Sequence, residues 1–126
     1  MYGYKKQVHA SFNEVVKRTT EELKKEGFGV LTEIDVKITL KEKLDVDFGN
    51  YRILGVCNPS FAYKALQAEK DIGLLLPCNV VVYEDQDRVF VSAILPTVAM
   101  SMIINDPLKN IASQVEEKLK TAIDNL

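Results

Sequence analysis

The stretch Pro77-Cys78-Asn79-Val80-Val81-Val82-Tyr83-Glu84-Asp85-Gln86-Asp87-Arg88-Val89-Phe90-Val91-Ser92-Ala93-Ile94-Leu95 decides the fold. Val80 to Tyr83 is β-branched or aromatic at every position, so both faces of that strand are apolar and it belongs in the middle of a sheet. The polar run Glu84 to Asp87 turns the chain, and Val89 to Leu95 returns as a second strand. Two strands joined so closely form a hairpin, which makes an antiparallel pair.

On the N-terminal side, Tyr2 to His9 reads as a strand with Tyr2, Tyr4 and Val8 on one side. Ser11-Phe12-Asn13-Glu14 is a capping box, in which serine and glutamate bond each other's backbone amides. Phe12, Val15, Val16, Thr19 and Leu23 follow on one helical face, Glu21 and Lys25 stand one turn apart as an ion pair, and Gly27 ends the helix. Phe28 to Val36 alternates, which predicts a strand with Val30, Thr32, Ile34 and Val36 on its buried side. Ile38 and Leu40 prolong the alternation, but Val36, Leu40 and Leu44 fit helical turns, and a short inserted helix is preferred.

Asp47-Phe48-Gly49-Asn50 is turn material, and Tyr51 to Val56 is an apolar strand ending at Cys57. Asn58 followed by Pro59 opens a helix carrying Phe61, Ala62, Ala65, Leu66 and Glu69. Asp71-Ile72-Gly73 breaks it. Beyond the hairpin, Pro96-Thr97 starts a loop or short helix, and Asp106-Pro107 is expected to cap a long final helix. Its apolar face is Leu108, Ile111, Ala112, Val115, Leu119, Ala122, Ile123 and Leu126. Burying that stripe at ~0.8 kcal/mol per methylene makes it a large contributor to the core. The expected architecture is therefore α+β: one domain over residues 1–126, a mostly antiparallel sheet, and helices packed largely on one face. The order is β-α-β(4)-α with an inserted helix.

Hydrophobic residues make up 47% and charged residues 27%, the balance of a globular domain rather than a disordered chain. The net charge of −2 supplies no positive field for nucleic acid, so no nucleic-acid partner is expected. The lysine clusters Lys24-Lys25 and Lys41 to Lys43 are interspersed with glutamate and read as solvated faces. No run approaches the ~20 apolar residues of a membrane span, and the start lacks a signal-peptide core. The expected location is cytoplasmic, with both cysteines reduced.

Cys57-Asn58-Pro59 and Pro77-Cys78-Asn79 each sit where an apolar stretch meets a turn. They are the candidate ligand-binding groups: Cys57, Asn58, Cys78 and Asn79. A thiol pair could bind a soft metal or cycle through a disulfide, but a closed metal site wants close local pairs and more ligands than His9 adds. Buried, inert thiols are the plainer reading, as structural turn and cap groups are for the asparagines. Glu33 and Asp35 share one strand face and are secondary candidates as a carboxylate pair. Met100 and Met102, with Ile103 and Ile104 beside them, read as packing residues. No phosphate loop, nucleophile elbow or catalytic set is present. Binding of a small ligand or a protein partner, without catalysis, is the expected role. No cofactor is indicated.

Ile53-Leu54-Gly55-Val56-Cys57-Asn58-Pro59 and Ile72-Gly73-Leu74-Leu75-Leu76-Pro77-Cys78-Asn79-Val80-Val81-Val82-Tyr83-Glu84 resemble the DUF302 family of small bacterial and archaeal proteins. Gly27-Phe28-Gly29-Val30 and Glu33-Ile34-Asp35-Val36 add to the likeness, which spans nearly the whole chain. The resemblance implies a TATA-binding-protein-like fold and a homodimer. It supplies no catalytic residues.

Overall fold

Apolar on both faces, β4 (Cys78–Asp85) takes the middle of a five-stranded sheet. In the computed structural model, which describes residues 1–126, its neighbours are β5 (Arg88–Ile94) and β3 (Tyr51–Cys57). The outer strands are β1 (Gly3–Val8) beside β5 and β2 (Gly29–Asp35) beside β3. Every pairing is antiparallel. The β4–β5 hairpin turns through Gln86 and Asp87, whose φ angles of 51° and 63° match the twist that a two-residue turn needs.

Two helices, α1 (Phe12–Lys25) and α5 (Asp106–Asp124), cover one face of this sheet. The others are α2 (Val36–Leu44), α3 (Pro59–Ala68) and α4 (Pro96–Ala99), and a 3₁₀ turn spans Lys70–Leu75. This is the expected α+β arrangement. No helix is long and apolar enough to cross a membrane.

Local chemistry corrects several details. Ser11 Oγ accepts the Glu14 amide at 3.3 Å, but the Glu14 carboxylate turns to Arg18 rather than back to Ser11. Lys25 pairs with Glu22, not Glu21, at 2.7 Å. The cap of α5 is Asn105, not Asp106: Asn105 Oδ1 accepts the Leu108 amide at 3.1 Å, while its Nδ2 donates to the Ala68 carbonyl at 2.9 Å. One side chain therefore joins the end of α3 to the start of α5. α2 exists as expected but buries no residue.

β2 departs furthest from its pattern. A bulge between Val30 and Thr32 shifts the register, so Val30 pairs with Val56 while Thr32 pairs with Gly55. Val30 faces the helices, whereas Thr32 and Ile34 lie on the opposite face. The uniform buried side predicted for Val30, Thr32, Ile34 and Val36 is not formed. As an edge strand, β2 has one lateral neighbour and stays largely exposed.

The core falls into two clusters. The larger joins the sheet to α1 and the C-terminal half of α5, through Leu23, Leu54, Val80, Val82, Val91, Leu119 and Ile123 among others. The smaller consists of Ala65, Ile72, Met100, Leu108 and Ala112, gathered from α3, the 3₁₀ turn, the residue after α4 and the first turns of α5. Ile111 packs against both.

Gly55 marks the closest approach on the opposite face of the sheet. A Cβ there would collide with Thr32 Oγ1 and stand 2.8 Å from Pro77 Cγ. Gly55→Ala is therefore expected to destabilise the fold by about 1–3 kcal/mol, as overpacking does. A denaturation midpoint equal to that of the parent would refute this contact.

Candidate functional site

A cavity of about 370 Å³ opens where the two core clusters meet. Phe28, Val56, Cys78 and Val115 line it from the larger cluster, and Ala65, Met100 and Ala112 from the smaller. Phe61, Ala62 and Leu66 close it from α3, Leu76 and Pro77 from the segment entering β4, and Leu31 from the bulge in β2. No charged side chain is among the lining residues.

The cavity lies where α3 packs chiefly onto α5 and the 3₁₀ turn, reaching the sheet-side core through Phe61. The main core closes under α1 and the C-terminal half of α5, and the space between the two packings is left unfilled. Leu31, 67% exposed, stands at the rim.

Three of the four expected binding residues meet here. Cys57 and Cys78 both line the cavity, on adjacent strands whose register pairs Val56 with Cys78. Cys78 is buried, and that burial pushes its thiol up to about 11, with the neighbouring Cys57 thiol adding to the effect. Cys57 is half-buried. Both are free thiols. Asn58 also lines the cavity.

Asn58 does not cap α3 with its side chain. Its Nδ2 instead donates to the Glu26 carbonyl at 3.2 Å and fixes the end of α1 against the start of α3. Its Oδ1 makes no hydrogen bond within the chain. Asn79 does not join the others. Side chains alternate along β4, so Asn79 is exposed on the opposite face of the sheet while Cys78 faces the helices.

The secondary candidates occupy a different place. Glu33 and Asp35 do share a face, and the cation they meet is Arg52 on β3. Its Nη1 lies 3.1 Å from Glu33 Oε1 and its Nε 3.2 Å from Asp35 Oδ2. The other Asp35 oxygen caps α2 by accepting the Ile38 amide at 3.0 Å. Arg52 also stacks over the Phe12 ring, 5.7 Å from its centroid. Both carboxylates thus have structural partners at a sheet edge, outside the cavity.

Met100 is buried in the smaller core and Met102 is 78% exposed, while His9 is exposed beyond β1. No group of three or more His, Cys, Asp or Glu side chains is gathered to hold a metal ion. The lining residues that sequence reading did not single out, such as Leu76, Pro77, Pro96 and Ile111, carry no chemical signature. Arg52 was detectable only as a charge inside an apolar strand.

Comparison with known proteins adds the relationship. The model of the family described as a domain of unknown function, DUF302, matches residues 4–126. A solved structure, of an uncharacterized conserved DUF302 protein from Bacillus stearothermophilus, superposes with a TM-score of 0.92 at 37% identity. The match covers 98% of this chain and 97% of that one. No curated protein matches.

Two measurements check this geometry. In the folded protein at pH 8, a thiol reagent is expected to modify Cys57 while Cys78 reacts only at strongly alkaline pH or after unfolding. An unfolded-state thiol ionises near 9, whereas the folded one holds its proton to about 11. The unfolded chain therefore binds fewer protons across that interval, and stability falls as pH rises through it. Two thiols reacting at equal rates at pH 8 would contradict the burial. Arg52→Gln is expected to cost about 1 kcal/mol, less at high salt, because both ion pairs are partly solvated. A loss unchanged by molar salt would count against ion pairing as its cause.

Proposed function

The chain belongs to the DUF302 family, and we propose that it binds a neutral, largely apolar small molecule in the cavity between its two cores. The observation that carries this reading is the cavity's composition: apolar walls, two thiols, one asparagine and no charged side chain. Ligand sites commonly combine apolar walls with a few placed polar groups. An ionised guest would lose its hydration without a counter-charge, at a cost of several kcal/mol. A neutral guest with one hydroxyl or amide proton loses little, because Asn58 Oδ1 can accept it.

Size narrows the class further. An apolar cavity of about 150 Å³ holds one benzene. The 370 Å³ here is roughly 2.5 times that, enough for a fused bicyclic or a medium-length branched chain. Binding, rather than thiol chemistry, has the better support. Cys78 retains its proton at neutral pH, and two sulfurs without further donors do not close a metal shell.

The test pairs neutral and charged probes. 2-Naphthalenemethanol is expected to raise the melting temperature by several degrees at concentrations far above its Kd, while 2-naphthalenesulfonate does not do so through this cavity. Ala62→Phe, which fills the cavity from α3, should abolish the alcohol's effect. No stabilisation by the alcohol, or full stabilisation of the filled variant, would sink the reading.

A further inference from the structure

The face of the sheet turned away from α1 and α5 carries a second, chemically different hollow. Its side chains form rows across the strands. Tyr51, Tyr83 and Phe90 stand opposite one another in register, and the next row is Ile34, Ile53, Val81, Ser92 and Lys5. An antiparallel sheet with one wet face normally alternates apolar and polar residues. Here the wet face is mostly apolar. The aromatic row is ordered: Tyr51 and Tyr83 stack at 5.4 Å between centroids, and Tyr83 and Phe90 at 5.5 Å. Lys5 Nζ lies 5.4 Å from the Tyr83 ring centre and 5.2 Å from that of Phe90.

A hollow of about 480 Å³ lies along this row. Val81 and Ile94 give it apolar surface, Tyr51 and Tyr83 an aromatic wall, and Asn79 and Ser92 neutral hydrogen-bonding groups. Lys5 is its one charged side chain, and no carboxylate lines it, in a chain whose net charge is −2. We propose that this hollow binds a small planar aromatic anion, an aryl carboxylate, with its ring against Val81 and Tyr83 and its carboxylate at Lys5. A flat ring matches a flat sheet surface and gains from offset contact with the tyrosine. Lys5, the one cationic side chain of the hollow, sets the sign of the guest's charge. Asn79, absent from the helix-side cavity, here has a place beside a guest. The site is independent of the one between the cores and takes an anionic rather than a neutral guest.

Lys5 is exposed, so its contribution is that of a solvated ion pair: removing it is expected to weaken binding about threefold to fivefold. The experiment titrates 2-naphthoate and 2-naphthamide into the protein, followed by backbone amide NMR. Naphthoate should move the amides of Lys5, Val81, Tyr83 and Ser92. Lys5→Gln should weaken naphthoate by that factor, leave naphthamide unchanged, and reduce the salt dependence of naphthoate binding. Equal affinity for both probes, or an unchanged Kd in Lys5→Gln, would overturn the proposal. So would shifts centred on Cys57 and Cys78, or light scattering showing a dimer in which those same amides are already covered by a second copy.

Discussion

The last helix must satisfy two cores with one apolar stripe. In α5, Leu108 and Ala112 close the smaller cluster under α3 and α4, while Val115, Leu119, Ala122 and Ile123 close the larger one under the sheet. Because those two sets follow one another along a rigid rod, the spacing between the cores is set by the helix itself. Its ends are held from outside. Asn105 ties its start to the end of α3, and at the other end Tyr4 donates to Asp124 at 2.7 Å while Lys6 reaches the Leu126 carbonyl at 2.8 Å. Side chains packed to crystal-like density cannot flow into the space left between. The cavity follows from that constraint.

The sheet separates two chemistries that lie only one residue apart in sequence. Cys78 and Asn79 are neighbours, yet the pleat sends one to an uncharged interior and the other to a face governed by Lys5. Two hollows of different electrostatic character thus share one strand. Ion pairing is kept away from both. The Glu33, Asp35 and Arg52 cluster sits at the β2–β3 edge, where water screens it and where it holds the bulged strand to its neighbour.

Much of the fold was legible because its signals are local. Ser11 before a helical apolar face, Gly27 at φ 89°, and the polar run before Val89 each act within a few residues, and each element they predict is present. The apolar run Val80 to Tyr83 correctly named the central strand. Two of the errors fall where two local groups compete for one role. Asn105 and Asp106 both suit a cap, and the position one residue earlier won because its amide also reaches Ala68. Glu22 took Lys25 from Glu21 in the same way. Of the candidate site, the joint between Cys57, Asn58 and Cys78 was visible as two strand ends with matching chemistry.

Sequence by itself determined the elements, their order, the antiparallel hairpin and the residues that meet at the ends of β3 and β4. Those properties depend on periodicity and on turn and cap chemistry, which act along the chain. Tertiary structure alone decided the bulge that splits the faces of β2, the union of Glu33 and Asp35 with Arg52, the parting of Asn79 from Asn58, and the gap between the cores. Each of these is a sum over side chains distant in sequence: the volume left when layers close, or the partner that register places opposite. A pattern read along one strand records which way a residue points, but not what stands in front of it.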